Sequence, residues 1–345
     1  MTKAILLLSG GLDSTLAGKI LLDLGVEVEA LHFTTPFCNC TPKKMGCNAA
    51  RAAADEIGIH VRTVASGLDY LETMKHPRHG RGAHMNACID CRIHTFTLAR
   101  ELMAEVGADF VATGEVLGQR PMSQRLDAMN LIERESGLSG LIVRPLCAQH
   151  MPPSQPETDG LIARDRLLAM SGRGRRPQME LADALGIKGW LCPAGGCMLT
   201  MADFAERFAE LLKLEPSFDL TDARLLRYGR HFRLPGGAKA IVGRDATENT
   251  VLEQMARRGD AVLQPANEVP GPTVLVRRLA EPIAADDVKL AAGLVAAYVR
   301  PARPVAVEVN RRATKEEAAN EPGTMIDAAP LDPAVYDKWR VGAFD

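Results

Sequence analysis

The chain has 345 residues, of which 46% are hydrophobic and 24% are charged, and its formal net charge is −2. This length suffices for two or three domains, each with its own core. The near-neutral charge excludes a globally basic protein, so a nucleic-acid site would have to be a local patch. No apolar run approaches the roughly 18 residues of a membrane span, and the first residues lead into a predicted strand rather than a signal peptide. We expect a cytoplasmic protein that does not enter a membrane.

The chain starts with an apolar run over 4–8, a glycine-rich turn over 9–14 and a helical pattern over 15–24. These patterns predict strand, loop and helix. Glycines let a backbone approach a ligand closely, and N–H groups at a helix start bind phosphate. Hydroxyl groups add donors, and Asp13 can hold a metal ion carried by the phosphates. The candidate nucleotide-binding residues here are Ser9, Gly10, Gly11, Asp13 and Ser14.

The run from Ser9 to Ser14 reads SGGLDS and resembles the SGGxDS signature of the PP-loop ATP pyrophosphatases. Those enzymes cleave ATP to AMP and pyrophosphate while they adenylate a substrate. A Walker A loop does not match, because no glycine lies five positions before Gly18 and Ile20 follows the lysine. The resemblance implies that the loop binds ATP, with Mg²⁺ near Asp13.

Strands and helices alternate along the next part of the chain, which predicts a parallel α/β sheet. The predicted strands cover 26–33, 61–65, 109–113 and 141–146, and the predicted helices cover 49–57 and 95–105. Ligands of open α/β sheets bind beyond the carboxyl ends of the strands. We therefore expect the glycine-rich loop and the segment 113–119 to border one crevice, with the helix that follows Cys88 close by.

The predicted strand 109–113 leads into the letters ATGE, which resemble the ATGH segment of the tRNA 2-thiouridylases, themselves PP-loop enzymes. The resemblance implies that Thr113 and Gly114 belong to the nucleotide site. Glu115 stands where those enzymes have histidine, so the resemblance assigns it no role.

The chain contains eight cysteines, which in a cytoplasmic protein favour metal binding or catalysis over disulfides. Cys88 and Cys91 form a CxxC at a predicted helix start, where thiol pKa values are lowered. Cys197 follows two glycines that predict a sharp turn presenting a thiol, with Cys192 as a substitute. Three thiolates can hold a [4Fe-4S] cluster and leave one iron open. The remaining motif, Cys38, Cys40 and Cys47, suits zinc or a loop with reduced thiols.

A CxxC with one remote cysteine resembles the cluster-dependent tRNA thiolation enzymes, which hold a [4Fe-4S] cluster beside the PP-loop. The resemblance implies that Cys88, Cys91 and Cys197 are metal ligands, and that Cys91 and Cys197 are catalytic together with Asp13. An alternative comes from the 2-thiouridylases, in which one cysteine carries a persulfide and a second releases the sulfur. Cys91 aligns with the first, and Cys197 would be the second. Zinc or purely structural cysteines are the third interpretation.

Three segments carry enough positive charge to contact RNA phosphates. The loop 74–84 is rich in His, Arg and Gly, and residues 161–178 contain five arginines and one acid. Residues 222–244 contain six Lys or Arg and one acid. Solvated surface is the alternative interpretation for the first two segments. We also expect two helices within 161–186, separated by residues 171–176.

The last third of the chain predicts a small α/β unit, with a hairpin over 230–242 and helices over 247–257 and 284–299. Its stretches GRHFRL, VGRDATEN and GPTVLV resemble the NFACT-R RNA-binding domain. The resulting division has four parts. They are a PP-loop domain (1–150), a helical linker with the GGC cysteine (151–217), an NFACT-R-like domain (218–310) and an irregular tail (311–345).

As a whole, residues 1–310 resemble bacterial proteins that fuse a PP-loop domain to an NFACT-R domain. The resemblance implies an ATP-dependent tRNA sulfurtransferase that adenylates a uridine carbonyl and replaces its oxygen with sulfur. Its partners would be tRNA and a sulfur donor, either sulfide or a sulfurtransferase protein. The alternatives are sulfur insertion into a small molecule or a protein, and an RNA-binding protein with an inactive PP-loop. The intact Asp13 and Ser14 favour an enzyme.

Overall fold

The computed structural model describes residues 1–38, 48–188, 196–311 and 323–342. The chain divides into two compact units, Met1–Met198 and Leu199–Asp345. This boundary falls inside the segment 151–217, for which the sequence predicts a helical linker. Within the described ranges, no helix is both long and apolar enough to cross a membrane.

The first unit alternates strands and helices, as predicted. Its elements in chain order are β1 (Lys3–Leu7), α1 (Leu12–Asp23), β2 (Glu27–Thr34), α2 (Asn48–Ile57), β3 (His60–Ala65), α3 (Leu68–Lys75), α4 (Cys88–Val106), β4 (Phe110–Thr113), α5 (Leu126–Ser136), β5 (Ile142–Val143), α6 (Gln155–Thr158) and α7 (Arg176–Ala184). The strands form a five-stranded sheet in the order β3-β2-β1-β4-β5. All four pairings are parallel, which confirms the predicted fold class.

The central strand β1 is apolar because both of its faces are covered. Successive side chains of a strand point to opposite faces of the sheet. Ala4 and Leu6 pack into one core with residues of α1 and α2. Ile5 and Leu7 pack into the other core with residues of α4 and α5. Burial on both faces is typical of parallel sheets and explains why the run does not alternate with polar residues.

The strand order reverses between β1 and β4, because β2 and β3 follow on one side of β1 while β4 and β5 lie on the other. The register pairs Leu7 at the end of β1 with Thr113 at the end of β4. Their carboxyl ends therefore meet at one edge of the sheet. This switch point is where open α/β sheets bind ligands.

Two expected helices differ from the structure. The first helix expected within 161–186 is only a 3₁₀ turn at Arg164–Arg166, and α7 alone is a full helix. Gly172 and Gly174 keep the chain irregular before α7, and Pro177 suits its first turn. The sequence also predicts that a helix starts within residues 121–125, whereas α5 begins at Leu126.

The second unit is built on an antiparallel sheet. Its elements in chain order are α8 (Ala202–Leu214), α9 (Leu220–Leu225), β6 (Arg230–Arg233), β7 (Lys239–Val242), α10 (Ala246–Gln254), β8 (Ala261–Pro265), β9 (Val274–Arg277), α11 (Ala285–Tyr298), β10 (Val305–Arg311), β11 (Thr324–Ala328), α12 (Pro333–Tyr336) and β12 (Arg340–Val341). The sheet has seven strands in the order β11-β10-β8-β9-β7-β6-β12. Helix α11 packs its apolar residues, including Val288 and Leu294, into the main core of this unit.

The expectation of an irregular tail over 311–345 is wrong for its described part. Strands β11 and β12 form the two edges of the sheet, and α12 lies between them in sequence. Val307 and Val309 of β10 are buried in alternation, and β11 pairs with that strand. The polar composition misled the prediction, because edge strands bury few of their side chains.

Candidate active site

The glycine-rich loop (residues 9–14) connects β1 to α1 and is held by its own hydroxyl groups. Ser14 Oγ accepts a hydrogen bond from the Ser9 backbone N–H at 3.2 Å and donates one to the Gly11 carbonyl at 3.0 Å. Ser9 Oγ accepts from the Gly11 N–H at 3.3 Å. The two serines therefore fix the shape of the loop. Gly11 caps α1 without a side chain, which leaves N–H groups at the helix start for a ligand.

Two glycines bring backbone segments into direct contact around this loop. Gly10 has a φ of +76°, and a Cβ there would lie 2.4 Å from the carbonyl carbon of Ala49. A Cβ on Gly114 would lie 2.4 Å from the backbone of Asp13. Any larger residue at either position would force the segments apart. The structure thus places Gly114 against the glycine-rich loop, as the strand order requires.

The Asp13 carboxylate is largely buried and only partly satisfied. Its Oδ2 accepts from Gln119 Nε2 at 3.2 Å, whereas its buried Oδ1 has no hydrogen-bond partner among the described residues. Burial raises the pKa of Asp13, and Gln119 together with the charges of Arg175 and Arg120 opposes that shift. Buried polar atoms are normally satisfied. The orphaned oxygen fits a site for a hard cation such as Mg²⁺, which prefers oxygen ligands.

The segment before α7 approaches Asp13 as well. Gly172 donates its N–H to the Leu117 carbonyl at 2.7 Å, and Ser171 pairs with Leu117. Arg175 Nη1 and Gln178 Oε1 are buried and have no hydrogen-bond partner within the described ranges. The sequence predicts an RNA contact or a solvated surface for this arginine-rich segment. In the structure, Arg175 lies close enough to Asp13 for its charge to act on that carboxylate.

Glu115 is a fully buried carboxylate between two arginines. Its Oε1 accepts from Arg92 Nη2 at 2.5 Å, and its Oε2 accepts from Arg144 Nε at 3.1 Å. The positive charges of Arg92 and Arg144 outweigh burial and lower the pKa of Glu115. Arg144 also pairs with Glu133, and Arg92 reaches the Thr113 hydroxyl at 3.5 Å. Glu115, to which the resemblance assigns no role, therefore holds Arg92 and Arg144 in place next to Thr113.

The CxxC lies at the start of α4, as predicted, and the thiol of its second cysteine contacts a tyrosine. Cys91 Sγ lies 3.3 Å from the Tyr70 hydroxyl. Burial raises the pKa of Cys91 to about 11, although Tyr70 and Arg92 act in the opposite direction. This raised pKa acts against the thiolate that the helix N-terminus is expected to favour at Cys91. Cys88 Sγ accepts from Asn86 Nδ2 at 3.2 Å.

Cys197 pairs with Cys38, which sequence reasoning had left outside the candidate site. The two residues face each other across an antiparallel bridge, and Met198 donates its N–H to the Phe37 carbonyl at 2.8 Å. Burial, then the charges of Cys91, Cys197 and Cys38, raise the pKa of Tyr70. These three cysteines and Tyr70 form what we call the Tyr70 thiol cluster.

Within the described ranges, no group of three or more His, Cys, Asp or Glu side chains is placed to hold a metal ion. Cys40, Cys47 and Cys192 lie outside the described residues.

The His- and Arg-rich loop 74–84 is tied to the CxxC helix. Asp90, between the two cysteines, accepts the backbone N–H of Arg78 at 2.8 Å and that of His79 at 3.2 Å. Arg81 donates to three backbone carbonyls of the same region. His79 and Arg81 therefore serve the local structure, which reduces the charge that this loop offers to RNA.

In the second unit, several basic residues of the segment 222–244 are paired internally. Arg233 binds Glu215 at 2.6 Å, and Lys239 binds Glu210 at 2.8 Å. Arg244 pairs with Glu248. The count of positive residues therefore overstates the charge that this segment presents to RNA.

Two family models match the chain. The model described as thiamine biosynthesis protein (ThiI) covers residues 1–150, and the NFACT protein RNA binding domain covers residues 229–340. The chain joins a ThiI-family domain to an NFACT-type RNA-binding domain. The glycine-rich loop, Gly114 and the CxxC all lie inside the ThiI-family domain, whereas Arg175 and Cys197 follow it.

Curated relatives match the ThiI-family part. The probable tRNA sulfurtransferases of Staphylococcus aureus strains MRSA252 and Newman are each 30% identical to the chain over 148 residues. The match covers 42% of this chain and 34% of each relative. The chain thus spans about a third of the length of these relatives.

Two solved structures are also similar. One is a 4-thiouridine synthetase–RNA complex with bound ATP, 23% identical, with a TM-score of 0.37, covering 65% of this chain and 52% of that one. The other is the U34-tRNA thiolase NcsA of Methanococcus maripaludis with its [4Fe-4S] cluster, 18% identical, with a TM-score of 0.33 and coverages of 66% and 71%. Both TM-scores lie below 0.5.

Sequence reasoning missed three residues next to the ThiI-family site. The sequence predicts zinc binding or a loop of reduced thiols for Cys38, and an RNA contact or solvated surface for Arg175. Tyr70 lies in α3, a helix that the sequence analysis does not predict. The repeated cysteines around Cys38 were a usable signal. Tyr70 carried none, because a single tyrosine in a short polar segment has no distinctive pattern.

Proposed function

We propose that the protein is an ATP-dependent tRNA sulfurtransferase that adenylates a uridine carbonyl oxygen and replaces it with sulfur. The observation that carries the proposal is the orphaned, buried Oδ1 of Asp13 in the glycine-rich loop of a ThiI-family domain. The names of the curated relatives support the same activity. The NFACT-type domain supports an RNA substrate.

The first step uses the glycine-rich loop. ATP phosphates would accept hydrogen bonds from the N–H groups at the start of α1, and Asp13 would hold the Mg²⁺ that neutralises them. Arg175 and Arg120 supply positive charge near Asp13. The uridine oxygen attacks the α-phosphate and pyrophosphate leaves. Donors fixed before the reaction stabilise the charge that develops on the phosphates.

The second step needs a sulfur carrier. A [4Fe-4S] cluster on Cys88, Cys91 and Cys197, which the sequence favours, would require three thiols around one core. Among the described residues, no three His, Cys, Asp or Glu side chains are placed to hold a metal ion, and the Cys91 thiol contacts the Tyr70 hydroxyl. As placed, the described thiols do not fit the cluster. We therefore take the carrier to be a cysteine persulfide supplied by a persulfide donor, and its terminal sulfur displaces AMP from the activated carbon.

The activity test supplies unmodified tRNA, ATP, Mg²⁺ and a persulfide donor, and measures pyrophosphate together with thiolated nucleosides after tRNA digestion. Wild type should produce both. Asp13→Asn should lose both by at least tenfold, because the metal ligand and its charge are weakened. The matched control is Asp23→Asn at the exposed end of α1, where Asp23 pairs with Lys19. Pyrophosphate release that ignores tRNA and yields no thiolated nucleoside would contradict the proposal and indicate a smaller acceptor.

The carrier is tested separately by iron and acid-labile sulfide analysis of protein purified without oxygen. The persulfide route predicts substoichiometric iron and thiolation that does not depend on iron. About four irons per chain, lost in Cys88→Ala, would restore the cluster as the carrier.

A further inference from the structure

We propose that Cys38 is a catalytic thiol and the partner of Cys197, and that the two residues become a disulfide when sulfur leaves the enzyme. This inference rests on the proposed sulfur transfer and assigns its release step. It draws on a pairing between two segments that are remote in sequence. Both residues carry thiols in the structure.

The bridge geometry suits disulfide formation. The hydrogen bond from Met198 N–H to the Phe37 carbonyl flanks the pair, which makes Cys38 and Cys197 a non-hydrogen-bonded pair of an antiparallel ladder. Such pairs have Cα atoms about 4.5 Å apart, with both side chains on the same face. A disulfide requires a Cα separation of roughly 4.4–6.8 Å. The two thiols can therefore join without a rearrangement of the fold.

Contacts with Thr35 hold the Cys38 thiol in place. Its Sγ accepts the Thr35 backbone N–H at 3.3 Å and lies 3.4 Å from the Thr35 hydroxyl. The hydroxyl in turn accepts the Phe37 N–H at 3.1 Å, so the turn is fixed. A backbone N–H is a donor that can hydrogen-bond a thiolate.

Cys38, Cys91 and Cys197 are all partly exposed, but their contacts differ. The Cys91 thiol lies 3.3 Å from the Tyr70 hydroxyl. The Cys38 thiol instead contacts the backbone N–H and the hydroxyl of Thr35. The Tyr70 ring packs on Phe33 and Phe37, which keeps its hydroxyl in place. The side chains of Cys91 and Tyr70 therefore hold each other in place beside Cys38 and Cys197.

The release step balances in atoms and electrons. Cys197 carries the persulfide, and its terminal sulfur bonds to the carbon of the adenylated uridine as AMP leaves. The Cys38 thiolate, having lost its proton to solvent, then attacks Cys197 Sγ. The bond between Cys197 Sγ and the transferred sulfur breaks, and its electron pair leaves with the thiolated base. The transferred sulfur is reduced by two electrons, the two cysteines are oxidised by two, and a dithiol reductant restores them.

A single-turnover experiment tests the role of Cys38. Persulfide-loaded full-length enzyme is mixed with ATP, Mg²⁺ and tRNA in the absence of reductant. Wild type should release thiolated tRNA and retain a Cys38–Cys197 disulfide. Cys38→Ser should accumulate tRNA joined to Cys197 through a disulfide, which dithiothreitol releases. Release of thiolated tRNA from Cys38→Ser at the wild-type rate without reductant would overturn the proposal.

The matched control is Cys147→Ser, which removes a buried thiol that donates to the Glu115 carbonyl. This variant should release product like wild type. Cys38 shares a tryptic peptide with Cys40, and Cys197 shares one with Cys192, so disulfide mapping needs fragmentation of the linked peptides. A disulfide from Cys197 to Cys91 or Cys192 contradicts the pairing.

A second measurement separates this inference from the proposed activity. Resting enzyme is equilibrated in glutathione redox buffers, quenched with acid and mapped without any substrate. In buffers with a high proportion of oxidised glutathione, the Cys38–Cys197 disulfide should be the most abundant disulfide in the enzyme. If wild type forms this disulfide but makes no pyrophosphate, the proposed function fails while the pairing stands. If wild type thiolates tRNA but never forms this disulfide, the pairing of Cys38 with Cys197 is wrong while the proposed function stands.

Discussion

Two carboxylates on neighbouring loops respond to burial in opposite ways. At Asp13, burial outweighs the nearby amide and guanidinium groups, and the pKa is raised. At Glu115, Arg92 and Arg144 outweigh burial, and the pKa is lowered. An under-compensated carboxylate suits a ligand site, whereas a fully paired one suits a structural support.

Glu115→Gln tests that structural support. Loss of the charge leaves Arg144 buried with an uncompensated part of its charge, so we expect the free energy of unfolding to fall by about 3–5 kcal/mol. Because the folded-state pKa of Glu115 is lowered, its contribution is present above the usual value near 4.5 and fades as the pH falls. Urea denaturation at neutral and acidic pH measures both effects. Glu180→Gln, at an exposed pair with Arg176, should cost less than 1 kcal/mol.

Tyr70→Phe tests the burial of Cys91. The pKa of Cys91 is about 11 because of burial, and the Tyr70 hydroxyl lowers it from a still higher value. Alkylation of Cys91 by iodoacetamide should therefore have its midpoint near pH 11 in wild type and above that in Tyr70→Phe. Mass spectrometry of the labelled peptide gives the profile. A midpoint that falls in the variant would contradict the assigned hydrogen bond.

At the scale of elements, the segment 171–175, which leads into α7, brings the positive charge of Arg175 near Asp13 of the glycine-rich loop. Its residue Ser171 pairs with Leu117, so the segment 171–175 runs beside the loop that follows β4. This placement depends on a contact between parts of the chain that no local pattern connects.

Arg175→Ala tests the element directly. Removal of a charged hydrogen-bond donor near the phosphates should weaken ATP binding by about tenfold to a hundredfold. Arg176→Ala is the matched control, since Arg176 is 89% exposed and pairs with Glu180. Calorimetric titration with a non-hydrolysable ATP analogue measures both. Equal affinities for the two variants would remove Arg175 from the nucleotide site.

The elements that sequence predicts well are those whose burial is uniform. Strand β1 is apolar after Lys3, and helix α11 is apolar after Lys289, so their types follow from these runs. Helix α3 was missed because it has only eight residues, and strand β11 was missed because most of its side chains are exposed. The glycine-rich loop can be predicted from a short run of consecutive residues. The pairing of Cys38 with Cys197 cannot, because it joins two segments that are remote in sequence.

At the scale of the whole molecule, the positive charge that can contact RNA excludes the Arg and Lys side chains that form ion pairs within the protein. Arg233 and Lys239 are held by Glu210 and Glu215, whereas Arg300 and Arg303 are exposed and make no ion pair among the described residues. Only unpaired charges release counterions from RNA.

The double variant Arg300→Ala and Arg303→Ala should weaken tRNA binding and lower the slope of log affinity against log salt by up to about 2. Arg233→Ala should leave that slope unchanged and lower the unfolding free energy instead. Filter binding over a range of salt concentrations distinguishes the two. An unchanged slope in the double variant would place the RNA contact elsewhere.

The bridge between Cys38 and Cys197 spans most of the first unit. In the chain-entropy treatment, a bond that closes a loop of roughly 160 residues stabilises the fold by about 5 kcal/mol. Each round of sulfur release would therefore leave the enzyme more resistant to heat than before, until a reductant reopens it. Enzyme molecules that have released sulfur and still carry the disulfide would therefore melt at a higher temperature than reduced molecules. A thermal scan would measure the fraction of disulfide-bonded enzyme without any substrate.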